Sequence, residues 1–248
     1  MNPDFLILSA TLPEISYFLD LYPPERKQTT VTGCTLFSGT AGKTVFDLLV
    51  SGPGVFNTAH ALTAYLEHSV PKLILDTGIA GVFTQAGCST GDIGIAAQER
   101  YVHTGVRRED STCHDPLPFD LIENNGLTRQ GIYEFDQAMV DSCRKILCSE
   151  PEIGENSVIS GRFITVSAIT CSYEQAEKMH NAFFPVMEAM EGAAAAHVAM
   201  LYSIPMIEVR SGSNFTGERS REKWDIRLAS ERVAQACAAL CRKSMELI

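Results

Sequence analysis

Met187-Glu188-Ala189-Met190-Glu191-Gly192-Ala193-Ala194-Ala195-Ala196-His197-Val198 joins a short apolar run (Phe183, Phe184, Val186) to a segment built almost wholly of alanine. The run reads as a buried strand and the alanine segment as a helix, with one carboxylate, Glu191, at the join. In an open α/β sheet, ligands bind in the crevice at the carboxyl ends of the strands. Glu191 is expected there, on the first turn of the helix, where the dipole favours a negative charge. Four consecutive alanines let such a helix lie close against a sheet and hold the carboxylate on a rigid element. The plain alternative is an ordinary glutamate at a helix start, a common place for one. The rest of the chain weighs against it.

On either side of this segment, β-rich runs alternate with helical periodicity. Phe5-Leu6-Ile7-Leu8 reads as a buried strand, followed by a helix opening at Pro13 and Glu14 with Ile15, Phe18, Leu19 and Tyr22 on one face. Residues 31–38 and 44–50 read as strands joined by a turn at Gly39-Thr40-Ala41-Gly42. Residues 54–68 read as an amphipathic helix, and 72–76 as an apolar strand ending at Thr77-Gly78. Strands follow at 92–97 and 101–106, a helix at 134–149 and a strand within 157–166. Residues 173–182, 192–202 and 224–247 read as helices, with a strand at 205–209 between the last two. This alternation implies a central mixed, mostly parallel sheet flanked by helices. With no internal repeat and no dividing linker, one α/β domain over residues 1–248 is expected. Residues 109–125, with Pro116, Pro118 and Asn124-Asn125, are the least regular and read as an active-site lid or an interface loop.

A hydrophobic content of 45% with 20% charged residues suits a globular core that needs no staples. The net charge of −10 and the scattered basic residues argue against a nucleic-acid or anionic-membrane partner. Eight cysteines stand at 34, 88, 113, 143, 148, 171, 237 and 241, with no C-x-x-C and no histidine pair at metal spacing, so no metal site is expected. The amino terminus lacks a basic region, and its apolar run is broken at Pro13, unlike a signal peptide. The longest apolar segment, 192–207, contains His197, Ser203 and Pro205 and is too short to span a bilayer. A cytoplasmic protein with reduced thiols is the expectation.

Four places carry unusual residues just past expected strands: Glu14, Gly78-Ile79-Ala80-Gly81, Glu191 and Arg210-Ser211-Gly212-Ser213-Asn214. Each alone has a bland reading as a helix-start charge, a tight turn or a polar loop. Parallel strands present their carboxyl ends on one side, so together these places converge on one crevice. The glycines are not a dinucleotide fingerprint, and Ser51-Gly52-Pro53-Gly54 lacks the lysine and the spacing of a phosphate loop. Two glutamates supply what hydrolysis of a sugar bond needs. One carboxylate activates water, and the other holds sugar hydroxyls as charge develops on the ring.

Ser9 to Ile15, Thr77 to Gly81, Met187 to Val198 and Arg210 to Asn214 resemble the purine nucleoside phosphorylase and nucleosidase superfamily. Within it the resemblance is to the methylthioadenosine/S-adenosylhomocysteine nucleosidases. More narrowly, Glu188 to Ala194, Ser213 to Arg219 and Trp224-Asp225 are similar to the futalosine hydrolases, which remove the purine from a nucleoside on a route to menaquinone. The resemblance covers nearly the whole chain and is weakest between His103 and Glu134.

It implies Glu14 as the water-activating carboxylate and Arg210 as the group that orients the water. Met190 and Glu191 would line the ribose, Phe163 would stack on the base, and the backbone of Ile164 would read the purine edge. Ile79, Ala80 and Gly81 would complete the binding wall, and Asn214 would contact N7 and the group at C6. It also implies a small-molecule nucleoside as substrate, no cofactor, and a homo-oligomer.

Two departures bear on specificity. Adenine-specific members carry aspartate where this chain has Asn214. Their glutamate two before the central one is Ala189 here, while Glu188, one place earlier, reads as structural or surface. An asparagine amide cannot transfer a proton, but it places one donor beside one acceptor. That pair suits a 6-oxopurine with a protonated N7, although a flipped amide suits a 6-amino base. The amide alone leaves the base open; the resemblance tilts the expectation to hydrolysis of futalosine, with release of hypoxanthine. The alternatives are methylthioadenosine, S-adenosylhomocysteine or aminodeoxyfutalosine as substrate, phosphorolysis, and a non-catalytic nucleoside sensor on the same fold. Arg107, Arg108 and Arg219 are candidates for a carboxylated substituent, with a solvated surface charge as the alternative for each.

Overall fold

The computed structural model describes residues 2–107, 114–115, 117–124 and 127–247. Arg108 and much of the irregular 109–125 segment lie outside these residues.

Strand β1 (Phe5–Ser9) leads into helix α1 (Leu12–Leu21), β2 (Arg26–Thr29), β3 (Thr35–Ala41), β4 (Thr44–Val50) and α2 (Val55–Leu66). Then come β5 (Leu73–Val82), β6 (Ile93–Tyr101) and four short strands, β7 (Val106–Arg107), β8 (His114–Asp115), β9 (Ile122–Asn124) and β10 (Leu127–Arg129). The chain continues through β11 (Ile132–Glu134), α3 (Gln137–Cys148), β12 (Val158–Thr165), α4 (Tyr173–Phe183) and β13 (Pro185–Ala189). It ends with α5 (Gly192–Tyr202), β14 (Met206–Phe215) and α6 (Ile226–Arg242).

Ten strands form one mixed sheet with helices packed against it, the α/β fold expected from the alternation. Five of its pairings are parallel and five antiparallel. The parallel ladders are the longer ones on average, among them β5 with β14 and β6 with β12. Five strands close on themselves: β5 pairs β14, β14 pairs β6, β6 pairs β12, β12 pairs β13, and β13 returns to the far end of β5. Strands β1, β4, β3 and β2 extend the sheet outward from the near half of β5.

Several expected boundaries move. The turn at 39–42 is shorter, because β3 continues to Ala41 and Gly42 supplies the positive φ of 67°. The strands expected at 92–97 and 101–106 are one long strand, Ile93–Tyr101, and the next strand begins only at Val106. The helix expected from 134 starts at Gln137, after β11 pairs with β6. Phe183 and Phe184 do not belong to a strand: Phe183 ends α4, and Phe184 closes it in the left-handed region at φ 52°.

The alanine helix is as read, with Gly192 through Ala196 buried. Side chains this small let its backbone come close to α2 and to the sheet. The main core packs α1, α3 and α6 on one face around Phe5, Phe18, Phe46, Ile95 and Cys237.

Candidate active site

Two long strands carry most of the site. β14 runs parallel to β5 and sets Glu208 opposite Asp76, Arg210 opposite Gly78, and Asn214 opposite Gly81. Ile79-Ala80-Gly81 is therefore strand interior and not a turn, and Arg210 to Asn214 is strand and not loop. The glycines suggested a turn, but the backbone stays extended because both neighbours keep offering hydrogen bonds. A bulge between Gly212 and Asn214 re-aims the end of β14 toward the cleft.

One cleft collects Glu14, Glu188, Glu191 and Asn214, with Ile79, Val166, Ile169, Met190 and Trp224 as apolar walls. Ala80 and Gly81 also line it. Glu14 sits in the first turn of α1. Its Oε1 accepts from the hydroxyl of Thr11 at 2.6 Å, and its Oε2 accepts from the backbone N–H of Ile79 at 3.1 Å. A Cβ on Gly78 would fall on Oε2 of Glu14, so only glycine leaves room for the carboxylate against β5. Burial raises the pKa of Glu14; the Thr11 hydrogen bond opposes this, and the charge of Glu191 adds to it. A carboxylate shifted in this direction suits a general base, whose pKa works best near the operating pH.

Glu191 occupies the cap position before Gly192, one residue ahead of the first turn where it was expected, and makes no side-chain cap bond to its own helix. Its carboxylate turns instead toward α2, where Oε1 accepts from the N–H of Gly54 at 2.9 Å. Oε2 accepts from the N–H of Met190 at 3.2 Å and lies 3.3 Å from Nη1 of Arg210. Arg210 itself does not line the cleft. It is 1% exposed, with Nε on Glu208 at 2.6 Å and Nη2 on Asp76 at 2.8 Å. Arg210, expected to orient the water, lies behind the wall, where Asp76, Glu191 and Glu208 surround the guanidinium.

Asn214 presents its amide to the cleft. Its Oδ1 accepts from Ser213 at 2.8 Å, and Nδ2 donates to the carbonyl of Phe215 at 3.1 Å. Each atom retains a second hydrogen-bonding valence. Glu188 is a wall of the same cleft and not surface; it accepts from the N–H of Thr170 at 3.1 Å and from its hydroxyl. Burial pushes its pKa up, against the pull of Thr170.

Phe163 and Ile164 do not reach the cleft walls. The Phe163 ring is fully buried against Met187 and Gly94, and Ile164 packs with Phe83, Val102 and Met179. The apolar surface available to a ligand comes from residues further along, Val166 and Ile169, and from Trp224. Their signal in the sequence was weak, since nothing in spacing distinguishes them from core or loop residues.

Arg219 stacks over Trp224 at 5.3 Å. Among the described residues no cluster suited to a metal ion occurs, seven cysteines are free, and no helix is long and apolar enough to cross a membrane.

Known proteins share this frame. The chain is 28% identical over 222 residues to a 5'-methylthioadenosine/S-adenosylhomocysteine nucleosidase of Shewanella loihica, covering 88% of this chain and 89% of that one. A namesake from Oceanobacillus iheyensis is 28% identical over 86% of this chain and 88% of its own. Among solved structures, the nucleosidase of that name from Helicobacter pylori superposes with a TM-score of 0.82 at 19% identity, covering 98% and 99% of the two chains. The futalosine hydrolase of Helicobacter pylori superposes with a TM-score of 0.82 at 18% identity, covering 96% and 97%. The family model described as the phosphorylase superfamily matches residues 4–246, and the chain belongs to that superfamily.

Proposed function

We propose that this protein is a purine nucleosidase that hydrolyses the N-glycosidic bond of futalosine, releasing hypoxanthine. The observation that carries the reading is the convergence of Glu14, Glu191 and the Asn214 amide on one cleft. Glu14, with raised pKa and fixed by Thr11 and Ile79, takes the proton of the attacking water. Glu191, held by Gly54 and Arg210, accepts the ribose hydroxyls as positive charge builds on the ring. The amide of Asn214 donates to a 6-oxo group and accepts from a protonated N7, stabilising the departing base.

Hydrolysis is favoured over phosphorolysis because no arginine, lysine or histidine is among the described walls of the cleft. Arg219, held over the wall residue Trp224, offers the cation that a carboxylated substituent requires. Residues 188–194 and 213–219 carry the likeness to futalosine hydrolases. An apolar hollow formed by Phe56, Leu121, Tyr133 and His197 suits a second copy of the chain.

Methylthioadenosine or S-adenosylhomocysteine is the second reading, favoured by the names of the curated relatives. Purified protein would be offered futalosine, its 6-amino counterpart, inosine and methylthioadenosine, with and without phosphate, and free base scored. Fastest release of hypoxanthine from futalosine, independent of phosphate, is expected. Faster release of adenine from methylthioadenosine would replace the first reading by the second.

A further inference from the structure

Behind the cleft lies a second set of carboxyls that the proposed hydrolysis does not use. Asp76 and Glu208 stand opposite each other on β5 and β14, at 1% and 0% exposure. Arg210 binds both, through Nη2 and Nε. Glu99 of β6 approaches Glu208 from the other side and accepts from the hydroxyl of Thr165 at 2.5 Å. That hydroxyl oxygen in turn accepts from the N–H of Ala193 at 2.8 Å, in the first turn of the helix that Glu191 caps. A Cβ on Gly192 would fall on the Glu208 carboxylate, so the glycine after Glu191 makes room for it.

Three oxygens of this set, Asp76 Oδ1, Glu99 Oε2 and Glu208 Oε2, are buried without a hydrogen-bond donor. Orphaned buried acceptors are rare, and several carboxylates around one guanidinium leave negative charge uncompensated in a low-dielectric interior. Protons resolve both difficulties. A protonated Glu99 donates to Glu208, and a protonated Asp76 keeps its contact with Arg210 while shedding its charge.

We propose that Asp76, Glu99 and Glu208 are positioning residues for the reaction: Asp76 and Glu99 hold protons, Glu208 pairs with Arg210, and the guanidinium keeps enough charge to fix Glu191 and favour an ionised Glu14. The proposal rests on the nucleosidase reading of the cleft. The titration directions agree with it: burial pushes Asp76 up to about 8 against the pull of Arg210, and burial with the charge of Glu208 pushes Glu99 well above the carboxylate range. Asp76 is faced by Arg210 and Glu208 from β14 and by Glu191 from the α5 cap, with Glu14 of α1 beyond Gly78. Cys237 of α6 contacts the adjacent Thr77, and Tyr133 of β11 stands near Glu99. Raising the pH through the range of Asp76 adds a negative charge beside Arg210 and weakens its hold on Glu191.

The test has two readouts. Infrared spectra near neutral pH are expected to carry carbonyl stretches of protonated carboxylic acids: a component removed by Asp76→Asn and fading as the pH passes about 8, and a second, removed by Glu99→Gln, that persists above it. In purine-release assays the wild type is expected to lose kcat over the same range. Asp76→Asn should move that alkaline limb upward by about one pH unit or more. Glu208→Gln should lose about tenfold or more in kcat, with KM within about threefold. An alkaline limb unmoved in Asp76→Asn, or acid carbonyl stretches unchanged by Asp76→Asn and Glu99→Gln, overturns the proposal. A wild type that releases no purine from any nucleoside defeats the functional reading alone. The infrared spectra then decide: components removed by Asp76→Asn and Glu99→Gln support the protonated cluster, and spectra unchanged by both overturn it.

Discussion

Thr11 caps α1 yet spends its hydroxyl on Glu14, at 2.6 Å from Oε1, and makes no side-chain bond to the free N–H groups of the helix. A capping residue ordinarily satisfies one of those groups. Here it satisfies the candidate base instead, so its removal is expected to act on chemistry more than on helix stability. The Thr11 bond holds the Glu14 pKa down against burial. In Thr11→Val that pKa rises further, and because the base must be ionised, the acid limb of kcat/KM moves to higher pH. A pH–rate profile checks this; an unmoved acid limb with a lowered melting temperature would make Thr11 a structural cap.

Glu14→Gln is expected to lose about 10²–10⁴-fold in kcat while nucleoside affinity changes little, the range typical of a lost general base. Single-turnover rates and equilibrium binding of a nucleoside separate the two effects. Turnover within tenfold of wild type would remove Glu14 from the mechanism.

Gly78→Ala places a methyl where Glu14 Oε2 now lies, with Arg210 Nη1 close by. Glu14 must then leave its bond to the Ile79 N–H. A misplacement of this order in a reacting group costs about a hundredfold in rate. Circular dichroism should show an intact fold beside the lost activity.

Asn214→Asp exchanges partners at the base. An ionised aspartate against a 6-oxo group sets two acceptors face to face, a mismatch worth about 1–3 kcal/mol. Activity on futalosine is expected to fall by at least about tenfold, with the kcat/KM ratio shifting toward the 6-amino nucleoside. Equal ratios in wild type and mutant would show that Asn214 does not select the base.

Asp76 also governs how stability varies with pH. Its folded pKa, about 8, is raised from 3.8, so the stabilisation from its neutral form is full below the lower value and is lost as the pH rises through the higher. The melting temperature is expected to decline less over that window in Asp76→Asn than in wild type. Parallel melting curves for the two proteins would refute this.

The alternation of strands and helices was plain in the sequence. Glu14, Glu191 and Asn214 stood out only as polar residues past expected strands, each with a bland reading alone, and their roles came from the family resemblance. The ends of β5 and β14 were not plain, since Gly78, Gly81 and Gly212 read locally as turns. The pairing of these two strands with each other, and of their ends with β13 and β6, all distant in sequence, keeps those segments extended. The same limit hid the inner cluster. Asp76, Glu99 and Glu208 come from three strands, and nothing in the spacing of one strand announces a carboxyl facing it from another. Phe163 illustrates the converse: its place in a recognisable motif says nothing of which side of β12 its ring takes, and the ring is packed against Met187.

A ring of strands has no outer edge along which to unzip. Over Val209–Ser211, β14 is bonded on both sides, so Arg210 cannot slide along its neighbours without breaking two ladders at once. Pro53 and Ile169, which also line the cleft, lie outside the ring on segments with no such double ladder. Those two walls can therefore shift without disturbing the charged frame behind them.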